Sequence, residues 1–367
     1  MDDADDAEEF ADATLRRMVR EIRPKWSLRD AAPADEGTDV VYFVTVETPD
    51  GPRECVLKAC EFLDPEAFRP EPYLVALVDR RTSIPVPSVV GAVDDHDDLP
   101  APFFLMECRD GEVRENGARE LPADAMERLA RDAGRHIGEL HALGEFEAFG
   151  GVRLARDVDG DRGELTVGEG HIAADRDRPT VDGRALTTDE TASDSWRTRV
   201  EATADDCLGD LHDRFADLES DLRALVDDRL DALDREFAPV LGHDDYRLGN
   251  LLVDPATGET RAVLDWGNAN TLEPQYNLVL AEQYLSGWAP HDDPLRERVR
   301  AALREGYREV GELADDSDAE RRRELYLTVT RLFPLVWFSL WYGHRPESER
   351  EATVEKHRRA VRDLLAR

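Results

Sequence analysis

The sequence predicts an α+β fold in two parts, a small β-rich unit followed by a larger, mainly helical one. Three observations carry that expectation. Between about Trp26 and Cys108, apolar residues fall in short runs divided by turn residues. Beyond "RDGE" the apolar period lengthens to that of a helix, and one hairpin-like stretch, "LLVDPATGETRAVL", interrupts the helical pattern. At 367 residues the chain can bury a core large enough for two lobes.

The elements follow in order. Residues 1–25 hold an acidic tail and a short amphipathic helix, with Leu15, Met18, Val19 and Ile22 at helical spacing before Pro24. The β-rich unit takes residues 26–108. "VVYFVTVE", the turn "TPDGPRE" and "CVLKACEF" form a hairpin preceded by "DEGTD" around Gly37. A short helix in "EPYLVALVDRR" and strands in "PSVVGAV" and "PFFLMEC" complete it. In residues 109–367, Met126, Leu129, Ala133, His136, Ile137, Leu140 and His141 mark a long helix ending near Gly144. Residues 150–195 form an irregular insertion, with extended runs at "VRLARD" and "ELTV". Helices run from Trp196 to Phe237, the hairpin follows, and three more helical segments start at about Pro274. "DVDGDRGE" is not an EF-hand loop: Arg162 and Gly168 stand where the glycine and the bidentate glutamate are required. It reads as a hairpin turn.

Composition excludes several functions. There are 82 acidic and 47 basic residues, a formal charge of −35, and only Lys25, Lys58 and Lys356 are lysines, leaving 47 − 3 = 44 arginines. Such a surface suits a cytoplasm at molar salt, where the Debye length at ~1 M is about 3 Å and repulsion is screened. Phosphate backbones need basic patches, so nucleic acid is not an expected partner. Cys55, Cys60, Cys108 and Cys207 form no CxxC pair, which fits a reducing compartment and no zinc site. "MDDADDAEEF" is unlike a signal peptide, and the apolar stretch from Leu332 to Tyr342, broken by Pro334 and Ser339, is too short to span a bilayer. The expectation is a soluble, cytoplasmic protein without a membrane partner.

The chemistry concentrates in "GHDDYRLGNLLVDPATGETRAVLDWG". Leu251 to Asp254 and Arg261 to Leu264 are strand-like, and Pro255 and Gly258 lie in the turn between them. A symmetric hairpin sets Asn250 opposite Asp265, as 250 + 265 = 251 + 264. An amide oxygen and a carboxylate at one hairpin end suit Mg²⁺, which leaves sites for water or phosphate. Asp245 belongs to the loop just before. Separately, "CVLKAC" sets Lys58 within an apolar strand of a chain that otherwise prefers arginine. A compact ammonium there points to an anionic partner, most naturally phosphate. Glu71 is the expected carboxylate behind it, with Glu66 and Glu61 as alternatives.

These residues together resemble the aminoglycoside phosphotransferase and choline kinase group, a two-lobed, protein-kinase-like fold. Its signature of His-x-Asp, four residues, Asn, then a hairpin ending in Asp-Trp or Asp-Phe reads here as His243, Asp245, Asn250 and Asp265. The resemblance implies that Asp245 positions and deprotonates the acceptor hydroxyl, and that Asn250 and Asp265 hold Mg²⁺ on the nucleotide. It makes Lys58, backed by Glu71, the contact to the α/β-phosphates and His243 an anchor of the loop. Gly37 falls in the phosphate-covering loop, and Met106 to Cys108 form the hinge that meets the nucleobase. Two positions depart from the pattern: Asp244 replaces the usual glycine, and Asn277-Leu278-Val279 replaces Asp-Leu-Ala, at a position read as structural. The implied activity is transfer of the γ-phosphoryl of ATP or GTP to a small hydroxylated molecule, whether sugar, amino alcohol or aminoglycoside. A protein kinase is excluded because "NANTLEPQY" leaves no room for an activation segment. The alternative is a kinase-fold binding protein without catalysis.

Overall fold

The computed structural model describes residues 10–34, 39–60, 64–115, 117–155, 164–166, 180–181 and 184–367. The chain forms two compact units: Met1–Asp110, Val152–Thr187 and Arg261–Gly267 in the first, and Gly111–Gly151, Thr188–Thr260 and Asn268–Arg367 in the second. In chain order the elements are α1 (Asp12–Ile22), β1 (Ser27–Pro33), β2 (Val40–Thr48), β3 (Gly51–Ala59), α2 (Pro65–Phe68), α3 (Pro70–Arg81), β4 (Val89–Val93), β5 (Phe103–Glu107) and α4 (Ala123–His141). Next come β6 (Val152–Leu154), β7 (Glu164–Thr166), β8 (Thr180–Val181), β9 (Arg184–Thr188), α5 (Trp196–Gly209), α6 (Glu219–Arg229), β10 (Val240–His243), β11 (Leu251–Asp254), β12 (Glu259–Val263) and β13 (Ala269–Leu272). The helices α7 (Pro274–Leu285), α8 (Pro294–Arg308), α9 (Ser317–Val336), α10 (Phe338–Tyr342) and α11 (Glu347–Leu365) close the chain.

The first unit is built on a six-stranded antiparallel sheet in the order β1-β2-β3-β5-β4-β7. Side chains alternate between its faces. Leu57 and Ala59 of β3 join Val44, Val46 and Leu105 in a core closed by Leu15, Met18, Val19 and Ile22 of α1, so one stripe of that helix is apolar and the rest is solvated. Val56 and Lys58 fall on the opposite face. There α3 is buried continuously from Pro70 to Val78, which explains why its sequence has no polar side.

The second unit is mainly helical. α4 and α8 meet at backbone contact: a Cβ on Gly134 would lie 2.0 Å from the Leu303 carbonyl oxygen, and one on Gly306 1.9 Å from that of Arg131. Only glycine fits there. An aromatic cluster of Phe149, Trp196, Tyr276 and Tyr326 anchors α5, α7 and α9. The three helical segments expected after Pro274 are five helices. The chain leaves α7 through Gly287 and Trp288, both with positive φ (61° and 58°), and the apolar stretch after Leu332 breaks at Trp337, dividing α9 from α10. β11 and β12 pair as a two-stranded sheet. The second strand begins and ends earlier than expected, at Glu259 and Val263, and the division between the units falls within it. Among the described residues no helix is long and apolar enough to cross a membrane. The turn expected at "DVDGDRGE" lies largely outside the described residues.

Candidate active site

Strand alternation aims Lys58 toward α3. Lys58 pairs in register with Val41 of β2 and Phe104 of β5, and its Nζ lies 2.8 Å from Glu71 Oε2, 2.9 Å from Asp39 Oδ2 and 3.2 Å from Asp265 Oδ1. Phe68, packed on Phe104, shields the same ammonium at 5.8 Å. Of the three carboxylates expected to compete for Lys58, Glu71 makes the bond, Glu66 pairs with Arg69, and Glu61 lies outside the described residues. Burial disfavours the Lys58 ammonium, but Glu71, Asp265 and Asp39 together outweigh it and raise its pKa. Burial pushes the Glu71 carboxyl up to about 7 against the pull of Lys58.

Asp39 was not singled out from the sequence, yet its signal was there. It precedes Val41 by two residues, and Val41 faces Lys58 across the β2–β3 ladder, so period two puts Asp39 on the Lys58 side. The Asp39 and Glu71 side chains are only 5% and 4% exposed, whereas Asp265 is 37% exposed. Asp265 is therefore the carboxylate of this trio that a ligand can reach. It stands at φ 59°, a left-handed conformation that aspartate adopts more readily than most residues. The next residue, Trp266, is buried and donates its indole N–H to the Val263 carbonyl at 3.1 Å.

The nucleobase hinge expected at Met106 to Cys108 ends β5. Met106 pairs with Val56 and Val89, and the Cys108 N–H is already committed to the Glu54 carbonyl at 3.3 Å. Gly37 lies outside the described residues.

In the second unit, β10 delivers His243 to the edge of a tight loop, paired with Ala269 of β13. The buried His243 ring accepts the Asp245 N–H through Nδ1 at 3.3 Å. Asn277 Nδ2 donates to the His243 carbonyl at 3.0 Å, which leaves Asn277 Oδ1 to accept from His141 Nε2 at 3.3 Å. His141 Nδ1 then accepts from the Tyr307 hydroxyl at 3.0 Å. An aspartate at 277 could not make the bond to His243.

Asn250 closes the same loop. Its Nδ2 donates to the Asp245 carbonyl at 3.0 Å and to Asp245 Oδ2 at 2.8 Å, and two acceptors on one side fix the amide orientation. Arg247 Nε also donates to Asp245 Oδ2, at 2.9 Å, while the Arg247 guanidinium pairs with Glu115. Sequence reasoning missed Arg247 and Glu115. Asp245 Oδ1 takes no hydrogen bond among the described residues. Asp244 accepts from Asn270 Nδ2 at 3.0 Å through Oδ2, while its Oδ1 is buried without a partner. Burial, then Asp245, push the Asp244 carboxyl up to about 7, against Arg199 and Asn270.

The donor chemistry suits a hard, phosphate-bound cation. With Nδ2 occupied, Asn250 offers an amide oxygen, and Asp265 offers a reachable carboxylate from a group of three that one ammonium does not neutralise. No cluster of three or more His, Cys, Asp or Glu side chains suited to a metal occurs among the described residues.

Comparison with known proteins bears on the fold and the family. Solved structures similar in fold include an aminoglycoside phosphotransferase in ternary complex with AMP-PNP and hygromycin B, at TM-score 0.58 and 15% identity over 96% of this chain and 98% of that one. A putative aminoglycoside phosphotransferase from Ralstonia eutropha has TM-score 0.58 at 14% identity, covering 97% of each chain. A microcompartment-associated aminopropanol kinase has TM-score 0.52 at 18% identity, covering 94% of each chain. No curated protein sequence matches significantly. The family model described as "Phosphotransferase enzyme family" matches residues 30–325. The two-lobed, kinase-like fold agrees with that match, and the match over most of the sequence establishes that the chain belongs to the phosphotransferase enzyme family.

Proposed function

We propose that the chain moves the γ-phosphoryl group of ATP or GTP to a hydroxyl of a small molecule, with Asp245 as the base. The observation that carries this is the asymmetry of the Asp245 carboxylate. Asn250 and Arg247 hold Oδ2, while Oδ1 is left to accept a proton. A base fixed through one oxygen is oriented before the acceptor arrives. In this reading Lys58, held by Glu71 and Asp39, binds the α/β-phosphates. Gly37 belongs to the loop over them, and the segment from Met106 to Cys108 lies against the base. His243 holds the Asp245 loop. Asn250 and Asp265 are the proposed Mg²⁺ ligands, each on its own donor chemistry. When bound, Mg²⁺ would neutralise phosphate charge.

AMP-PNP in one similar structure and GDP in that of an aminoglycoside 2'-phosphotransferase support a purine nucleotide as donor and leave ATP and GTP both open. The acidic composition supports a cytoplasm of high salt as the setting. The test is a screen of hydroxylated small molecules with ATP or GTP and Mg²⁺ at molar KCl, reading ADP or GDP release. Acceptor-dependent release supports the reading. Tight nucleotide binding with no release for any acceptor favours a binding protein of the same fold.

A further inference from the structure

The second unit contains a cavity of ≈ 120 Å³ beside Asp244, lined among others by Arg199, Thr203, Asn270, Trp196 and Tyr276. It is well below the ~300–1,000 Å³ of sites for drug-sized ligands. Its polar wall contains an unsatisfied acceptor, Asp244 Oδ1, and Arg199, whose charge acts on the Asp244 carboxylate. Asn270 spends its amide nitrogen on Asp244 and on the Asn268 carbonyl, so its amide oxygen is available as an acceptor. Trp196 and Tyr276, packed edge to face at 5.1 Å, supply the apolar wall.

This chain has a half-buried carboxylate where the family pattern has glycine, and its buried, unpartnered Oδ1 is costly unless water or a ligand completes it. We propose that this cavity is the acceptor subsite and that Asp244 and Arg199 select a neutral, polyhydroxylated molecule of monosaccharide or polyol size. The inference rests on the phosphotransferase reading above and narrows it. A hydroxyl can donate to Asp244 Oδ1, and another can accept from Arg199, while the C–H face of such a molecule covers the aromatic wall. A cationic amine would satisfy Asp244 but confront Arg199. A multi-ring aminoglycoside is larger than the ≈ 120 Å³ cavity and would have to extend through its open side.

The experiment compares wild-type enzyme, at molar KCl with ATP or GTP and Mg²⁺, on four panels: monosaccharides and polyols, amino alcohols, hydroxy amino acids, and aminoglycosides. The highest kcat/KM is expected in the first panel. A higher value in any other panel overturns the subsite reading while leaving phosphoryl transfer intact. Asp244→Gly should raise the acceptor KM roughly tenfold or more, with nucleotide KM unchanged. Asp244→Asn keeps an acceptor oxygen without the charge and should shift KM by less than about threefold. A large loss in the Asn variant would mean that the ligand is cationic and would overturn the proposal. If no panel releases ADP or GDP, phosphoryl transfer fails, and ligand-observed NMR with the same panels reads the cavity alone. Binding of a polyol that is lost in Asp244→Gly and in Thr203→Trp then upholds the subsite. No binding, or binding that both folded variants retain, refutes it.

Discussion

Asn250 holds Asp245 twice through one nitrogen, at the backbone carbonyl and at Oδ2 of the side chain. The amide thus sets both the course of the loop and the direction of the carboxylate. Asp245→Asn keeps size and acceptor geometry but removes the base. Phosphoryl transfer is expected to fall ~10²–10⁴-fold while nucleotide affinity stays within a few-fold. Near wild-type turnover by this variant, once an acceptor is known, would show that Asp245 is not the base.

Lys58 faces three carboxylates, and two of them are almost fully buried. Lys58→Met leaves them without their ammonium, and breaking a buried pair from one side costs about 3–5 kcal/mol. Both the urea midpoint and nucleotide use should drop. Lys58→Arg should restore the midpoint better than nucleotide use, since a planar fork does not replace a compact ammonium. Equal recovery of both in the Arg variant would remove the phosphate role.

Asn277 is expected to resist change to aspartate. The substitution deletes the donor to the His243 carbonyl at a position only 1% exposed. The cost of an unsatisfied buried group, about 1–3 kcal/mol, should appear in thermal melting. A Tm equal to that of the parent chain would mean that the His243 loop does not depend on this bond.

Acid should loosen the second unit before most carboxylates titrate. Burial lowers His136 to about 3 and His141 to about 4, from an ordinary 6.5. The unfolded chain therefore binds more protons than the native one below about 6.5, so the stability contributed by neutral histidine is complete above that value. It declines as pH falls toward 4. Urea midpoints between pH 7 and 5 should fall, and less steeply in His141→Gln. An identical slope in that variant would exclude His141 as a contributor.

Low salt should be a second stress. With a formal charge of −35, diluting KCl from ~1 M to ~0.1 M lengthens the Debye length from about 3 Å to about 10 Å. Repulsion across the surface returns, and Tm should fall. A Tm independent of KCl would refute adaptation to salt.

What the sequence disclosed, and what it hid, follows from how far each interaction reaches along the chain. The β2–β3 hairpin and the core stripe of α1 were legible because their signals are local: alternation in one, helical period in the other. Lys58 stood out by chemistry alone, a lysine in a chain of arginines. β1 stayed hidden because it is a mostly exposed edge strand with no alternation to detect. Arg247 and Glu115 are 132 residues apart, and nothing local marks either as the support of Asp245. The role of Asn277 likewise depends on two distant groups, the His243 carbonyl and the His141 ring. Asp39 was within reach of hairpin register and was overlooked.

The first unit is assembled from three separate stretches, the last of them Arg261–Gly267. Asp265 joins Lys58 from 207 residues further along the chain. During synthesis the ammonium, Glu71 and Asp39 are therefore complete long before their third partner leaves the ribosome. An expressed fragment ending at Asp110 would carry the lysine and two of its carboxylates but not the reachable one. Phosphate could still find the cation there, whereas the metal-binding carboxylate proposed for this unit would be missing. The group of three carboxylates around Lys58 is thereby completed only once residue 265 has been made.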